Sequence, residues 1–156
     1  MRVAPMTSRD DILISLKPQH ADHIFGGEKS VELRKRLPKI ASGTRIWIYA
    51  TLPVAAIRGY ALLTQIESRS PRTIWRDWGD QTGISKKEFD AYFEDCRIAH
   101  ALVLKNIMVM SRALPLARIR EMVRGFHPPQ FYFYLNGAGD EMRLPQRKYR
   151  PVKSDR

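Results

Sequence analysis

The chain has a single cysteine, Cys96, so no disulfide can form within it, and its fold must be held by packing and hydrogen bonds. Long apolar runs are missing as well: nothing approaches the roughly 20 consecutive apolar residues that a membrane-spanning helix needs. The first residues, MRVAPMTSRDD, lack the apolar middle of a secretory signal, and cytoplasmic residence is the expectation. No phosphate-binding glycine loop, dinucleotide fingerprint, nucleophile elbow or HExxH spacing is present, and the GGEKS stretch at 26–30 has the wrong spacing for either glycine motif. His20 and His23 lie three apart, but His100, His127 and Cys96 belong to scattered segments, so a zinc site fails on ligand count. Neither a metal nor a cofactor is expected. Acids are in short supply too. Sixteen Asp and Glu stand against 27 Lys and Arg, a formal charge of +11 that favours a polyanionic partner.

With 156 residues, 44% of them hydrophobic, there is enough chain for one domain with a genuine core. The charge is segregated along it. Between Lys29 and Arg45 six cations (Lys29, Arg34, Lys35, Arg36, Lys39, Arg45) face one acid, Glu32, whereas Asp77 to Asp95 holds six acids against Lys86 and Lys87. Residues 136–156 add six cations and three acids. One basic face and one acidic flank follow, with nucleic acid as the matching partner and a solvated surface as the alternative.

The most informative stretch is Leu16 to Arg36, LKPQHADHIFGGEKSVELRKR. Pro18 suits the first turn of a helix, Ala21, Ile24 and Phe25 share one face of it, and Gly26 and Gly27 end it. From Lys29 the period becomes two: Val31 and Leu33 point one way, while Ser30, Glu32, Arg34 and Arg36 point the other. Glu32 is thus a carboxylate among cations. It can accept a hydrogen bond from a base amino group, act as a general base, or neutralise Arg34 in a salt bridge. Lys29, Arg34 and Arg36 suit phosphate oxygens, and Lys17 either faces the same site or is a solvated strand end.

Around this stretch the pattern predicts a flexible leader over 1–11, a strand over 12–17, a loop over 38–44, a half-buried strand over 45–51 and a longer strand over 55–66 whose Gly59 permits a bulge. Trp47, Tyr49 and Thr51 share a face of the 45–51 strand; Trp47 reads as core, Tyr49 and Thr51 as a ligand edge. Ser70 caps one short helix, and Ser85 with Glu88 forms a capping box for a second. A long strand or bent hairpin covers 98–112, a helix 116–123 and a last strand 131–135, its aromatics packing the barrel. Residues 136–156 read as a basic, disordered tail. Strands dominate and hairpin-length connections outnumber helical crossovers, which favours an α+β fold: a small mixed β-barrel with flanking helices and a helical insertion.

These residues carry a resemblance. The Leu16–Arg36 segment, the GTRIWIYAT and AIRGYALLTQI strands, the TGISKKEFDAYF insertion and the terminal PPQFYFYL, in that order over residues 12–135, closely resemble the ASCH domain family of the PUA-like superfold. The most specific element is Gly-x-Lys-x-x-Glu-x-Arg, here Gly27, Lys29, Glu32 and Arg34. The resemblance implies a small β-barrel with a cleft beside that motif, in a superfamily that mostly binds RNA. The expectation is an RNA-binding or other nucleic-acid-binding protein whose site comprises Lys17, Lys29, Glu32, Arg34, Arg36, Tyr49 and Thr51, with the basic tail adding salt-sensitive affinity.

Two further readings stay open. Some ASCH relatives resemble ribonucleases, in which Lys29, Glu32 and Arg34 would be catalytic: cations against the phosphorane charge, and a carboxylate taking the 2′-hydroxyl proton. Others resemble amidohydrolases of N4-acetylcytidine built on a Lys-x-x-Thr pair; here Glu32 occupies the threonine position, and the hydroxyl is lost. Alternatively, the chain is a protein-binding module contacting its partner through the acidic flank 77–95 and the aromatics Trp75, Trp78 and Tyr92. The bland alternative for those aromatics is that they pack the insertion onto the barrel.

Overall fold

Ile12–Leu16 (β1) is apolar at four of its five positions and is buried on both faces, as a central strand must be. In the computed structural model, which describes residues 11–153, β1 pairs in parallel with Arg45–Ala50 (β3), Ile12 opposite Ile46 and Leu16 opposite Ala50. A parallel pair needs a crossover, and Pro18–Phe25 (α1) and Val31–Arg34 (β2) lie within it. Pro18 opens α1, and Ala21, Ile24 and Phe25 bury its inner face. Gly27, at φ +87°, makes the turn towards β2.

Two long strands, Ala56–Arg69 (β4) and Ala99–Pro115 (β5), form the antiparallel backbone of the sheet. Their register shifts three times, including the predicted position beside Gly59. A Cβ on Gly59 would collide with the Met108 carbonyl and the Phe25 ring, so glycine there admits both the bulge and the seating of α1. The 98–112 segment is one strand rather than a hairpin; it bends at Asn106, whose φ is +49°.

The full order is β2-β5-β4-β3-β1-β6, where β6 is Tyr132–Tyr134, and Tyr149–Pro151 (β7) pairs with β5 as well. Bulges curl this mixed sheet into a half-barrel whose outer strands, β2 and β6, do not pair. Three apolar clusters hold it. One fills the curl under α1, with Ile12, Ile14, Ile46, Ile48, Leu102 and Leu104. A second lies on the other face of β1 and β3, where Leu13, Trp47 and Tyr49 meet Leu116–Met122 (α4) and the C-terminal residues. The third seats the insertion, Pro71–Trp78 (α2) and Lys86–Tyr92 (α3), through Ile74, Phe89 and Phe93 on Val31 and Leu33. Both helices carry the expected caps, Ser70 on α2 and the Ser85–Glu88 capping box on α3.

Three expectations are corrected. The 45–51 strand is buried on both faces, not one, because a second core covers Trp47 and Tyr49. Asp11, assigned to the leader, is buried and accepts a hydrogen bond from Trp47 Nε1 at 2.9 Å; residues 1–10 lie outside the described part. Residues 136–153 are not a disordered tail. They form a short helix, Ala138–Glu141 (α5), a 3₁₀ turn at Leu144–Gln146 and then β7, and they bury Met142 and Leu144 completely. No helix among the described residues is long and apolar enough to cross a membrane.

The second core makes a stability prediction. Leu144→Ala empties a fully buried site and is expected to cost about 2–5 kcal/mol, measured as a shift in the urea midpoint; a cost under about 0.5 kcal/mol, the surface range, would mean that the C-terminal segment is not docked.

Candidate nucleic-acid interface

The half-barrel leaves a gap between its outer strands, and a cleft of about 470 Å³ lies there. One wall is the end of β1 with Ser15, Leu16 and Lys17; the floor is β2 with Glu32 and Arg34; the far side is the segment leading into β6, with Gln130 and Phe131. α1 contributes His20, and the insertion contributes Ile84, Glu88 and Tyr92. Ser15 ties the β6 side to β1, its Oγ donating to the Pro129 carbonyl at 2.6 Å and its N–H to the Phe131 carbonyl at 3.2 Å. Hollows of larger volume beside Ser42 and beside Asp80 have no buried charge in their lining.

Charge is concentrated at the floor. Glu32, 6% exposed, holds Lys29 Nζ at 3.3 Å through one carboxylate oxygen and an Arg34 guanidinium nitrogen at 3.0 Å through the other. Lys29 is only 3% exposed, and its ammonium also donates to the Thr82 carbonyl at 3.1 Å. That carbonyl comes from the loop between α2 and α3, which is pinned against β2 by two bonds between Ser30 and Gln81. Gly83 packs against Lys29 Cβ at φ +72°, where a side chain would strain the loop. The insertion therefore buries and satisfies Lys29. Burial alone would raise the pKa of Glu32, but Lys29 and then Arg34 outweigh it and hold the carboxyl below its ordinary range. A carboxylate so engaged is a weak base.

His20 is the residue that sequence reasoning passed over, having weighed it only as a zinc ligand. Its ring lines the cleft, and its Nδ1 is buried without a hydrogen-bond partner. Burial first, then the Lys29 charge, push its pKa below 6.5, with Glu32 opposing and His23 and Lys17 adding to the fall. The imidazole is neutral at neutral pH, an acceptor among cations.

Of the residues singled out in the sequence, Lys17, Lys29, Glu32, Arg34 and Thr51 converge on the cleft. Arg36 lies beyond the end of β2, exposed and outside the lining. Tyr49 is 3% exposed in the second core, so it cannot be a ligand edge: the strand phase that reads as free is covered by α4 and the C-terminal segment. The aromatics that do line the cleft are Tyr92 and Phe131, 39% and 63% exposed. Phe131 was expected to pack the barrel, but β6 begins one residue later. Trp75 and Trp78 pack towards the third cluster, which leaves Tyr92 as the exposed aromatic of the insertion.

Residues 12–126 match the family described as Domain of unknown function (DUF365). A protein named ASCH domain-containing ribonuclease, from Zymomonas mobilis subsp. mobilis, is 36% identical over 127 residues, 81% of this chain and 85% of that protein. The crystal structure of ASCH from Zymomonas mobilis superposes with a TM-score of 0.83 at 33% identity, covering 90% of this chain and 97% of that one. Large ribosomal subunit protein uL22 of Ureaplasma parvum serovar 3 is 39% identical over 98 residues, 62% of this chain but 31% of that protein.

Removing the shared carboxylate tests the floor of the cleft. Glu32→Ala strands Lys29 in a dry site and is expected to cost about 3–5 kcal/mol of stability. Because the folded-state pKa of Glu32 is depressed, its contribution is complete above the ordinary value of 4.5 and is lost as pH falls through the lower value. Urea midpoints taken from about pH 6 to pH 3 should therefore fall more steeply for the wild type than for Glu32→Gln; parallel curves would refute the ion pairing.

Proposed function

The chain belongs to the family of ASCH domain proteins, and from that premise we propose that it binds single-stranded RNA in the cleft between β2 and the segment leading into β6. The observation that carries this reading is the paired cation floor. Lys29 is locked by Glu32 and Thr82, so Arg34, 15% exposed and using one nitrogen on Glu32, and Lys17, exposed at the end of β1, are the groups left to meet phosphate oxygens. Tyr92 and Phe131 offer apolar faces on which bases stack, an interaction worth on the order of 1–3 kcal/mol each. In this reading Glu32 is a positioning residue that fixes the fork of Arg34.

A second reading, cleavage of the bound RNA, is favoured by His20 and agrees with the name of the Zymomonas relative. The neutral imidazole takes the 2′-hydroxyl proton, the 2′ oxygen attacks phosphorus, and the bond to the 5′ oxygen breaks, with that oxygen protonated by water. Arg34 and Lys17 are the cations free to meet the charge that develops on the non-bridging oxygens, while the buried Lys29 adds only its field. Glu32, lowered in pKa by two cations, serves less well as the base.

Labelled single-stranded RNA, scored for retention and for cleavage across a salt series, separates these outcomes. Arg34→Ala should weaken retention and reduce the slope of log affinity against log salt by about 1; an unchanged slope would remove the cleft as a phosphate site.

For cleavage, His20→Ala should lower the rate by about 10²–10⁴-fold while sparing retention. The wild-type rate should rise with pH about a midpoint below 6.5, because burial first and then the charged groups facing His20 (Lys29, with His23 and Lys17) depress its pKa more than Glu32 restores it. A rate independent of His20 would assign proton transfer elsewhere.

A further inference from the structure

The folded C-terminal segment does more than close the second core. Ser30, just before β2, accepts from the Leu104 N–H, whereas Val152, just after β7, donates to the Ile107 carbonyl. β2 and β7 thus lie end to end along one edge of β5, with Lys105 and Asn106 between them. The edge that begins at the cleft continues into β7, which cations flank: Arg147 and Lys148 precede it and Lys153 follows it.

Beside β7 is a hollow of about 310 Å³ lined by Ser111, Arg112, Gln146, Arg147 and Lys148. It has three cations, two further polar side chains and no acid. Ser111 N–H donates to the Lys148 carbonyl at 3.0 Å, which fixes the two strands across from one another. None of the three cations makes an ion pair with any of the described residues, and Arg147 Nε is buried without a hydrogen-bond partner. Elsewhere on the molecule seven cations have carboxylate partners and others, Lys17, Arg36 and Lys105 among them, have none with the described residues; what sets this hollow apart is three such cations side by side with no acid in its lining. Neighbouring cations repel one another, and an uncompensated group of them is best explained by an anion that arrives from outside.

We propose that Arg112, Arg147 and Lys148 form a second phosphodiester-binding site, which takes the backbone of the same RNA strand whose other part lies in the cleft. This rests on the RNA-binding reading. Nine residues of β5 separate Leu102, opposite Glu32, from Ser111, opposite Lys148. At about 3.3 Å per residue the two sites are about 30 Å apart along the strand, a span that a strand of several nucleotides covers and a trinucleotide does not. The backbone contacts here are independent of base identity and add affinity through counterion release.

The test uses the full chain and two labelled oligouridylates, a 3-mer and a 12-mer, 2′-O-methylated so that no cleavage intervenes. Binding is measured across a salt series for the wild type and four variants. The Arg112→Ala/Arg147→Ala/Lys148→Ala variant should bind the 12-mer about tenfold more weakly, with the salt slope reduced by about 2 (three single-strand phosphates lost), and should bind the 3-mer unchanged. A control, Lys86→Ala/Lys87→Ala/Arg118→Ala, removes the same charge from other surfaces and should leave the 12-mer within about twofold. Lys148→Glu, at an exposed position outside the apolar clusters, should reproduce the direction of the effect. A triple variant that binds the 12-mer as the wild type does, or loses no more than the control, overturns the second site. Arg34→Ala keeps the two readings apart: if it leaves both oligonucleotides unaffected while the triple variant weakens the 12-mer, the cleft reading fails and the second site stands. If wild type retains neither oligonucleotide, both fail.

Discussion

Glu32 holds two cations at once in a site from which water is nearly excluded, and both the cleft and the elements around it follow from that arrangement. A lysine buried to 3% exposure is tolerable only if its charge is matched and its remaining protons find acceptors. The match comes from the next turn of chain on β2; the acceptor comes from the Thr82 carbonyl, fifty-three residues away, on the insertion. So the insertion is not an ornament on the sheet. It docks through Phe89, Phe93 and Ile74 on the outer side of β2 while its loop closes over Lys29 from the other end. One four-residue strand is therefore held from both faces, by apolar contact through Val31 and Leu33 and by charge through Glu32.

The same constraint sets the electrostatics of the cleft. With its carboxylate committed to two cations, the floor carries excess positive charge, and burial first, then that charge, keeps His20 neutral. A neutral imidazole beside fixed cations is a pairing that an alternating strand cannot show, because its partner sits on a helix whose phase is set separately. The half-barrel supplies the opening. Had β6 paired with β2, the gap lined by Arg34 and Phe131 would be filled by backbone hydrogen bonds.

Much of this was legible in the residues. The switch of period at Lys29, the glycine turn, both serine caps and the bulge at Gly59 depend on local chemistry, and each is found where local chemistry puts it. Lys17, Lys29, Glu32, Arg34 and Thr51 reach the cleft because a strand's polar phase and its ends are readable from spacing. What failed was whatever depended on which surface a distant segment would cover. Tyr49 lies on the expected phase of its strand, but that phase is closed by α4 and by Met142 and Leu144, residues in a stretch whose charges and glycines read as disorder. Four apolar anchors (Met142, Leu144, Tyr149, Val152) outweigh that composition, because each finds a preformed core and not because the segment has structure of its own.

The ordering of that segment changes what the net charge means. On a loose tail, cations would add a diffuse attraction to any polyanion; beside β7, which is hydrogen-bonded to β5, they have fixed positions relative to Arg34. Holding like charges together costs stability at low ionic strength, and here the cost is met by apolar burial of Leu144 and Met142 rather than by counter-charges. Acids are available in the chain, Asp140 and Glu141 lying on α5 only a few residues before Arg147, yet neither pairs with it. A fold that neutralises its buried lysine so completely, and leaves these surface cations without partners, separates the charges that hold the structure from those free to meet a ligand.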